Sequence, residues 1–265
     1  MTIRSLGYRT DLMLRRLAGA TVDEADDVIV VRTPANPSFY WGNFLLFPAP
    51  PAPGDAAAWV ARFTEEFPNA EHVSIGVDGI DGDLGAADEM RALDLVDESS
   101  VVLTATSLEP IAVLGGEVEL RPPDTDEEWA QTVEFRIAVD EDKNPGHREF
   151  VARRAAEFRR LMADGHGVYV AAFVDGIARS ALGLFAADGL ARYQSVETHP
   201  DFRRRGLASG LVVEAARLAA ARQRIDELVI VADPSYVAIE IYRRLGFTDS
   251  ERQVQWLRKP PYDVV

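Results

Sequence analysis

Cysteine is absent from the 265 residues. That excludes disulfides, thiolate nucleophiles and cysteine-built metal sites. Nor is there a run of about 18 apolar residues, so nothing reads as a membrane-spanning helix. The chain has only four histidines. His147 and His166 fall in segments read as loops and lack ligand spacing, so no metal site is expected. Residues 1–16 mix Arg and Asp and hold no apolar h-region. No secretory signal is read there, and a cytoplasmic location is expected. Positive charge is also short: the net charge is −15, of which residues 1–120 carry −13 and residues 121–265 carry −2. Neutralising nucleic-acid phosphates needs clustered Lys and Arg, so neither nucleic acid nor a membrane is an expected partner. An acidic surface keeps a protein soluble and attracts cations.

What is present is ample apolar content, 47%, and a length that suits one large domain or two small ones. Leu12, Leu14 and Leu17 hint at a short helix before Gly19. Strands are read at 27–32, 39–47, 72–77 and 100–105. Helices are read at 55–67, with Trp59, Val60 and Phe63 inward, and at 86–93. The second half opens with a strand at 118–121 and helices at 126–137 and 148–164. A hairpin follows, 169–173 with 177–185, turning on Val174-Asp175-Gly176. Next come strand 190–198, helix 207–222, strand 227–231, helix 235–245 and strand 248–257. The first half runs strand, strand, helix, strand, helix, strand, which repeats the later portion of the second. The connection 107–116 carries Leu108, Ile111, Val113 and Leu114, too apolar for a free tether.

The stretch Val196 to Gly210 organises the chain. His199-Pro200-Asp201 stops a strand, three arginines follow, and Gly206 precedes a long helix. The first helical N–H groups have no partner within the helix, and the macrodipole adds partial positive charge there. Gly206 and Ala208 have almost no side chain, so a phosphate can approach the backbone. On its own this pattern also describes a solvated Arg cluster at a helix start. A second segment, Ser235 to Phe247, places Ala238, Ile241, Tyr242 and Leu245 at helical spacing and ends on a Gly246 suited to a left-handed cap. Without further context, Tyr242 reads equally as a core tyrosine.

Arg203-x-x-Gly206-x-Ala208 resembles the R/Q-x-x-G-x-G/A pyrophosphate loop of the GNAT acyltransferase superfamily. Ser235 to Phe247 resembles that superfamily's N-x-x-A-x-x-L-Y-x-x-x-G-F segment, with Ser235 for Asn and Ile241 for Leu. The resemblance covers roughly 118–260. It implies a mixed α/β fold with a GNAT-like acyltransferase domain over 116–265. Residues 1–115 would form a partial, degenerate GNAT-like repeat; the rival reading is an unrelated α/β domain. In that repeat Pro48, Pro50, Pro51 and Pro53 stand where the phosphate loop would be and remove N–H donors.

The resemblance also implies roles. Acetyl-CoA would be the co-substrate, with no metal. Backbone groups at Val196 and Thr198 would pair with the pantetheine arm in a gap between strands 190–198 and 227–231. The loop Arg203, Arg204, Arg205, Gly206, Leu207, Ala208 and Ser209 would hold the pyrophosphate. Ser235 would lie near the pantetheine, with shorter reach than Asn. Tyr242 would protonate the departing thiolate, and a phenol with an ordinary pKa near 10 suits that leaving group. Glu197 is the carboxylate nearest the gap by sequence and the candidate base; the bland alternative is a salt-bridged strand residue, with Arg192 as partner. His199 belongs to the turn, and Asp233 reads as a helix N-terminal acid. Trp129, Phe135 and the acidic run Asp140-Glu141-Asp142 would contact a cationic acceptor or else be core and solvated charge. Phe39, Tyr40 and Trp41 would close the site from the other half. The expected activity is acyl transfer, acetyl first, to a small-molecule or peptide amine by a monomer or homodimer. The alternative is a non-catalytic acyl-CoA-binding or regulatory module.

Overall fold

The computed structural model describes residues 1–25, 27–111, 115, 118–139, 146–236 and 238–260. The acidic run at 140–142, and Val113 and Leu114 of the apolar connection, lie outside them. In chain order the elements are α1 (Leu6–Leu17), β1 (Thr21–Glu24), β2 (Ile29–Arg32), β3 (Phe44–Phe47), α2 (Asp55–Glu66), β4 (Val73–Val77), α3 (Ala87–Ala92), β5 (Val96–Asp97) and β6 (Ser100–Ala105). There follow β7 (Val118–Arg121), α4 (Asp126–Val139), α5 (His147–Ala163), β8 (Gly167–Val174), β9 (Ile177–Ala187), β10 (Gly189–Thr198), α6 (Leu207–Ala220), β11 (Ile225–Ala232), α7 (Ile239–Arg244) and β12 (Thr248–Arg258). Two compact units form. The first comprises Met1–Leu103, Val231–Tyr236 and the chain from Asp249; the second comprises Thr104–Ile230 and Val237–Thr248.

In the first unit the strand order is β1-β2-β3-β4-β12-β6, with β5 paired to β12. β3 is apolar at every position and wholly buried, as a strand covered on both faces must be. Its alternate side chains divide between two clusters. Leu45 and Phe47 join Phe63 of α2, Met90 of α3 and Trp256 of β12. Phe44 and Leu46 join Tyr8 and Leu12 of α1. Phe47 and Trp59 stack 3.9 Å apart. α1 is fixed by its start. Ser5 caps it, Asp78 accepts the Arg4 and Ser5 N–H groups, and Glu251 accepts that of Leu6 at 2.8 Å. Carboxylates at a helix N-terminus complement its dipole. Tyr8 crosses the sheet to donate to the Val254 carbonyl. Gly76 makes room for it, since a Cβ there would lie 2.5 Å from the Tyr8 hydroxyl.

The second unit orders its strands β7-β8-β9-β10-β11. All its pairs are antiparallel except β10–β11, which α6 connects as a parallel crossover. Consecutive residues Tyr193 and Gln194 are bonded to α6 and α5 respectively, so these helices cover opposite faces. The order α5-β8-β9-β10-α6-β11-α7 matches α1-β1-β2-β3-α2-β4-α3 of the first unit. The first unit thus follows the second's order of elements without counterparts of β7 and α4.

Three readings of the sequence change. The expected strand 39–47 is a 3-10 turn at Tyr40–Gly42, and only Phe44–Phe47 is strand. Asn43 is responsible: its side chain accepts the Thr33 N–H and donates to the carbonyls of Phe39 and Asn36, diverting backbone groups from a ladder. The expected helix 235–245 shrinks to Ile239–Arg244, because Asp233 Oδ1 accepts both the N–H and the hydroxyl of Ser235 and holds a turn. Asp233 is thus a turn residue rather than a helix N-terminal acid. β12, last in the chain, completes the first unit's sheet, pairing antiparallel with β4 through Trp256↔Ile75.

Two tests follow from this architecture. Trp256 is fully buried beside Val254 and Met90. Trp256→Ala is expected to destabilise the first unit by about 3–5 kcal/mol, read by denaturant unfolding; a loss confined to fraying of the terminal strand would contradict the assignment. The second test concerns Glu128 in α4, whose amide is capped by the Thr125 hydroxyl. The Arg121 guanidinium and the Asp124 N–H, both bonded to its carboxylate, hold that carboxyl down at about 2 from an ordinary 4.5. A lowered carboxyl stabilises the fold above its unfolded pKa and loses that contribution as pH falls toward the folded value. Glu128→Gln should therefore be less stable than the parent, by about 1 kcal/mol, at neutral pH. The gap should close between pH 4.5 and 2; a gap independent of pH would refute the ion-pair account.

Candidate active site

The site begins where β10 and β11 part. Their registered pairs run from Gly189↔Ile225 to Arg192↔Val229 and stop, although β10 continues to Thr198. On its other edge β10 stays tied to β9, but with a slip: Gln194 faces Gly183 and Glu197 faces Ala181. One extra residue is accommodated by Ser195 at φ 52, a conformation an L-residue adopts at a cost. A bulge of this kind bends the strand and turns backbone groups out of the ladder. Val196, half-buried, lies in it. Thr198 is anchored through its hydroxyl to Ser180 Oγ at 2.8 Å.

Beyond β10 the chain turns through a 3-10 element, Pro200–Phe202, begun by His199, whose ring Nδ1 accepts the Asp201 N–H. Phe202 is held by the guanidinium groups of Arg179 and Arg205, 4.5 and 4.7 Å from its ring centre. Arg203 donates from Nε to the Thr198 carbonyl and Arg205 to that of Asp201. Arg204 at φ 62 and Gly206 at φ 80 are both left-handed. Gly206 is the N-cap of α6 and supplies no side-chain cap, which leaves the first N–H groups of Leu207, Ala208 and Ser209 to an outside acceptor. Leu207 is buried and anchors the helix start, while Arg203 to Gly206 are exposed. Three arginines around uncapped N–H groups make an anion cradle.

The first unit's equivalent is closed. Gly54 at φ 94 also begins a crossover helix, but its N–H donates to both Glu89 carboxylate oxygens at 2.9 and 3.1 Å, and Asp55 accepts the Ala52 N–H. Internal carboxylates stand there in place of an external anion.

Tyr242 sits on α7, 5% exposed, with Phe247 edge-on at 6.3 Å. Gly246 at φ 97 ends that helix as expected, and the Phe247 N–H reaches back to the Tyr242 carbonyl. Phe247 also meets Tyr193, whose hydroxyl donates to the Val212 carbonyl of α6. β10, α6 and the end of α7 are thereby tied around one aromatic cluster in the second unit. Ser235 is exposed, and its hydroxyl is engaged by Asp233.

Glu197 is ion-paired with Arg136. Its Oε2 accepts from Arg136 Nε of α4 at 2.9 Å, and Arg136 is 8% exposed. The bulge makes this pairing possible, since it rotates Glu197 onto the face covered by α4 and α5. Tyr169 lies in the field of both charges, and burial pushes its phenol up to about 12. Sequence inspection missed Arg136 and the pairing of Arg154 with Gln194 at 3.2 Å. A buried Arg in a helix is visible only once the helix faces are known. Trp129 and Phe135 are core, Trp129 stacking on Tyr169 at 5.0 Å. Phe39 lies under Arg15, Tyr40 against His72 and Trp41 against Phe44, all within the first unit. His147 is the buried first residue of α5 rather than a loop residue. Among the described residues no group of three or more His, Asp or Glu is arranged to hold a metal ion, and no helix is long and apolar enough to cross a membrane.

Residues 174–257 match the family described as FR47-like protein. A search of curated proteins finds no match. Among solved structures, a GCN5-related N-acetyltransferase from Kribbella flavida superposes with TM-score 0.63 at 17% identity, covering 98% of each chain. A conserved protein of unknown function from Staphylococcus epidermidis gives TM-score 0.67 at 13% identity, over 90% of this chain and 93% of that one. A tandem GNAT protein from the clavulanic acid biosynthesis pathway gives 0.56 at 13%, over 94% and 89%. With its bulged and parted strand pair and its arginine-flanked helix start, the chain shares over most of its length the mixed α/β fold of the Kribbella N-acetyltransferase and of the tandem GNAT protein.

Proposed function

We propose that the chain is an acyl-CoA-dependent N-acyltransferase that moves acetyl from acetyl-CoA to a primary amine by direct attack. The observation that carries this reading is the parting of β10 from β11 beside the uncapped start of α6. An extended pantetheine arm adds to the open edge of β10 as a short strand, through backbone groups at Val196 and Thr198. The pyrophosphate rests on the N–H groups and arginines of 203–209. The thioester carbonyl then lies near the bulge, where an N–H turned out of the ladder stabilises the developing oxyanion. The amine attacks that carbonyl from the α4–α5 side, where Glu197 holds or deprotonates it. Tyr242 delivers a proton to the CoA sulfur as the C–S bond breaks. The products are an amide and free CoA thiol. A non-catalytic acyl-CoA-binding module is the rival, and it predicts binding without amine-dependent thiol release.

Gly206→Glu places bulk and negative charge against the pyrophosphate and should abolish most acetyl-CoA binding by calorimetry; retained affinity would contradict the cradle. Tyr242→Phe keeps the ring and removes the hydroxyl. Turnover should fall by about 10²–10⁴-fold, equally in kcat and kcat/KM, with acetyl-CoA affinity and melting temperature little changed. A fully active, slightly less stable variant would reduce Tyr242 to a core residue.

A further inference from the structure

We propose that Arg136 and Arg154 are positioning residues that clamp the two ends of the β10 bulge, fixing the backbone of Ser195–Glu197 and the Glu197 carboxylate for acyl transfer. The purpose rests on the acyltransferase reading above; the geometry does not.

The bulge has two ends, Gln194 and Glu197, and between them β10 advances three residues while β9 advances two. The extra residue changes the parity of the strand. Side chains that would alternate now both face the helices, so each end meets a guanidinium. Arg154 of α5 donates to Gln194 Oε1 at 3.2 Å, and Arg136 of α4 donates to Glu197 Oε2 at 2.9 Å. Both arginines are buried, at 3% and 8% exposure. Arg154 is itself held, by Glu157 one turn on and by the Phe158 ring 4.5 Å below it. From β9, Ser180 Oγ adds a third tie, donating to the Glu197 carbonyl at 2.6 Å.

Buried ion pairs are a poor means of stabilising a fold, since apolar residues of the same volume serve as well or better. Two buried arginines gripping the ends of one irregularity therefore point to geometry as their use. Ser195 is held left-handed, a conformation that persists only where its surroundings over-determine it. Without the clamps the slip between β9 and β10 can relax toward a regular ladder, which would return the bulge N–H to the sheet and swing Glu197 to the opposite face. The guanidinium forks suit this task, because planar, fixed donors set a carboxylate's orientation in a way a lysine ammonium does not.

The test uses the full chain with Arg136→Gln, Arg154→Gln and the conservative Arg136→Lys and Arg154→Lys. Amide hydrogen exchange over 193–198 reports the bulge directly. Exchange there should quicken by about tenfold or more in the Gln variants, with β8 and the middle of α6 unchanged, as for a local opening. The Lys variants should fall between, and they carry the test if a Gln variant does not fold. With acetyl-CoA and an accepted amine, kcat should drop by about ten- to a hundredfold, the scale of a misplaced reacting group, while CoA binding changes little. Unaltered exchange over 193–198 overturns the clamp. Faster exchange with unaltered kcat overturns its catalytic use, as does a parallel loss of stability, CoA binding and turnover. A parent protein that binds acetyl-CoA but acylates no amine overturns the acyltransferase reading instead, and exchange alone then decides the clamp.

Discussion

Everything proposed for this chain depends on β10 being pulled two ways. Along one edge it pairs with β9 from end to end, along the other only its first residues pair with β11, and the slip at Ser195 falls just beyond that point. A regular strand would pair along both edges and leave no backbone for a ligand. The bulge opens one edge, carries the strand to the arginine loop and turns Glu197 toward α4. The packing around it is correspondingly stiff: Tyr193 ties the strand to α6 on one face, and Arg154 ties it to α5 on the other.

The same crossover occurs in both units with opposite outcomes. Gly54 and Gly206 share a left-handed backbone at the start of the crossover helix. In the second unit arginines flank that start; in the first, Glu89 accepts the Gly54 N–H, Asp55 accepts that of Ala52 in the preceding loop, and prolines there carry no N–H. A helix N-terminus attracts an anion in either case. What differs is whether the chain supplies its own. The first unit retains a sound core, completed by β12 from the far end of the sequence, and this makes the C-terminal strand essential to residues more than a hundred positions earlier.

Much of this was legible in the sequence. The apolar runs of β3, β6 and β8 and the spacing of α2 and α6 marked the elements, and Arg203-x-x-Gly206-x-Ala208 with Tyr242 carried the resemblance to the GNAT superfamily. Other features were hidden for physical reasons. Thr21–Glu24 is a charged, exposed edge strand, with none of the alternation that marks a buried one. Asn43 breaks a strand through side-chain bonds that no periodicity reveals. The extra residue in β10 is invisible until its partner strand is known, and with it goes the face on which Glu197 meets Arg136. Asp233 and Ser235 look like the start of a helix until their mutual hydrogen bonds hold them in a turn.

The central claim is that one acyl-CoA site exists per chain, at the parted strands of the second unit. Titration calorimetry with acetyl-CoA tests it most directly. The account predicts saturation at one equivalent per chain. Two equivalents would mean that the first unit's closed crossover also binds, and no binding at all would remove the basis for acyl transfer.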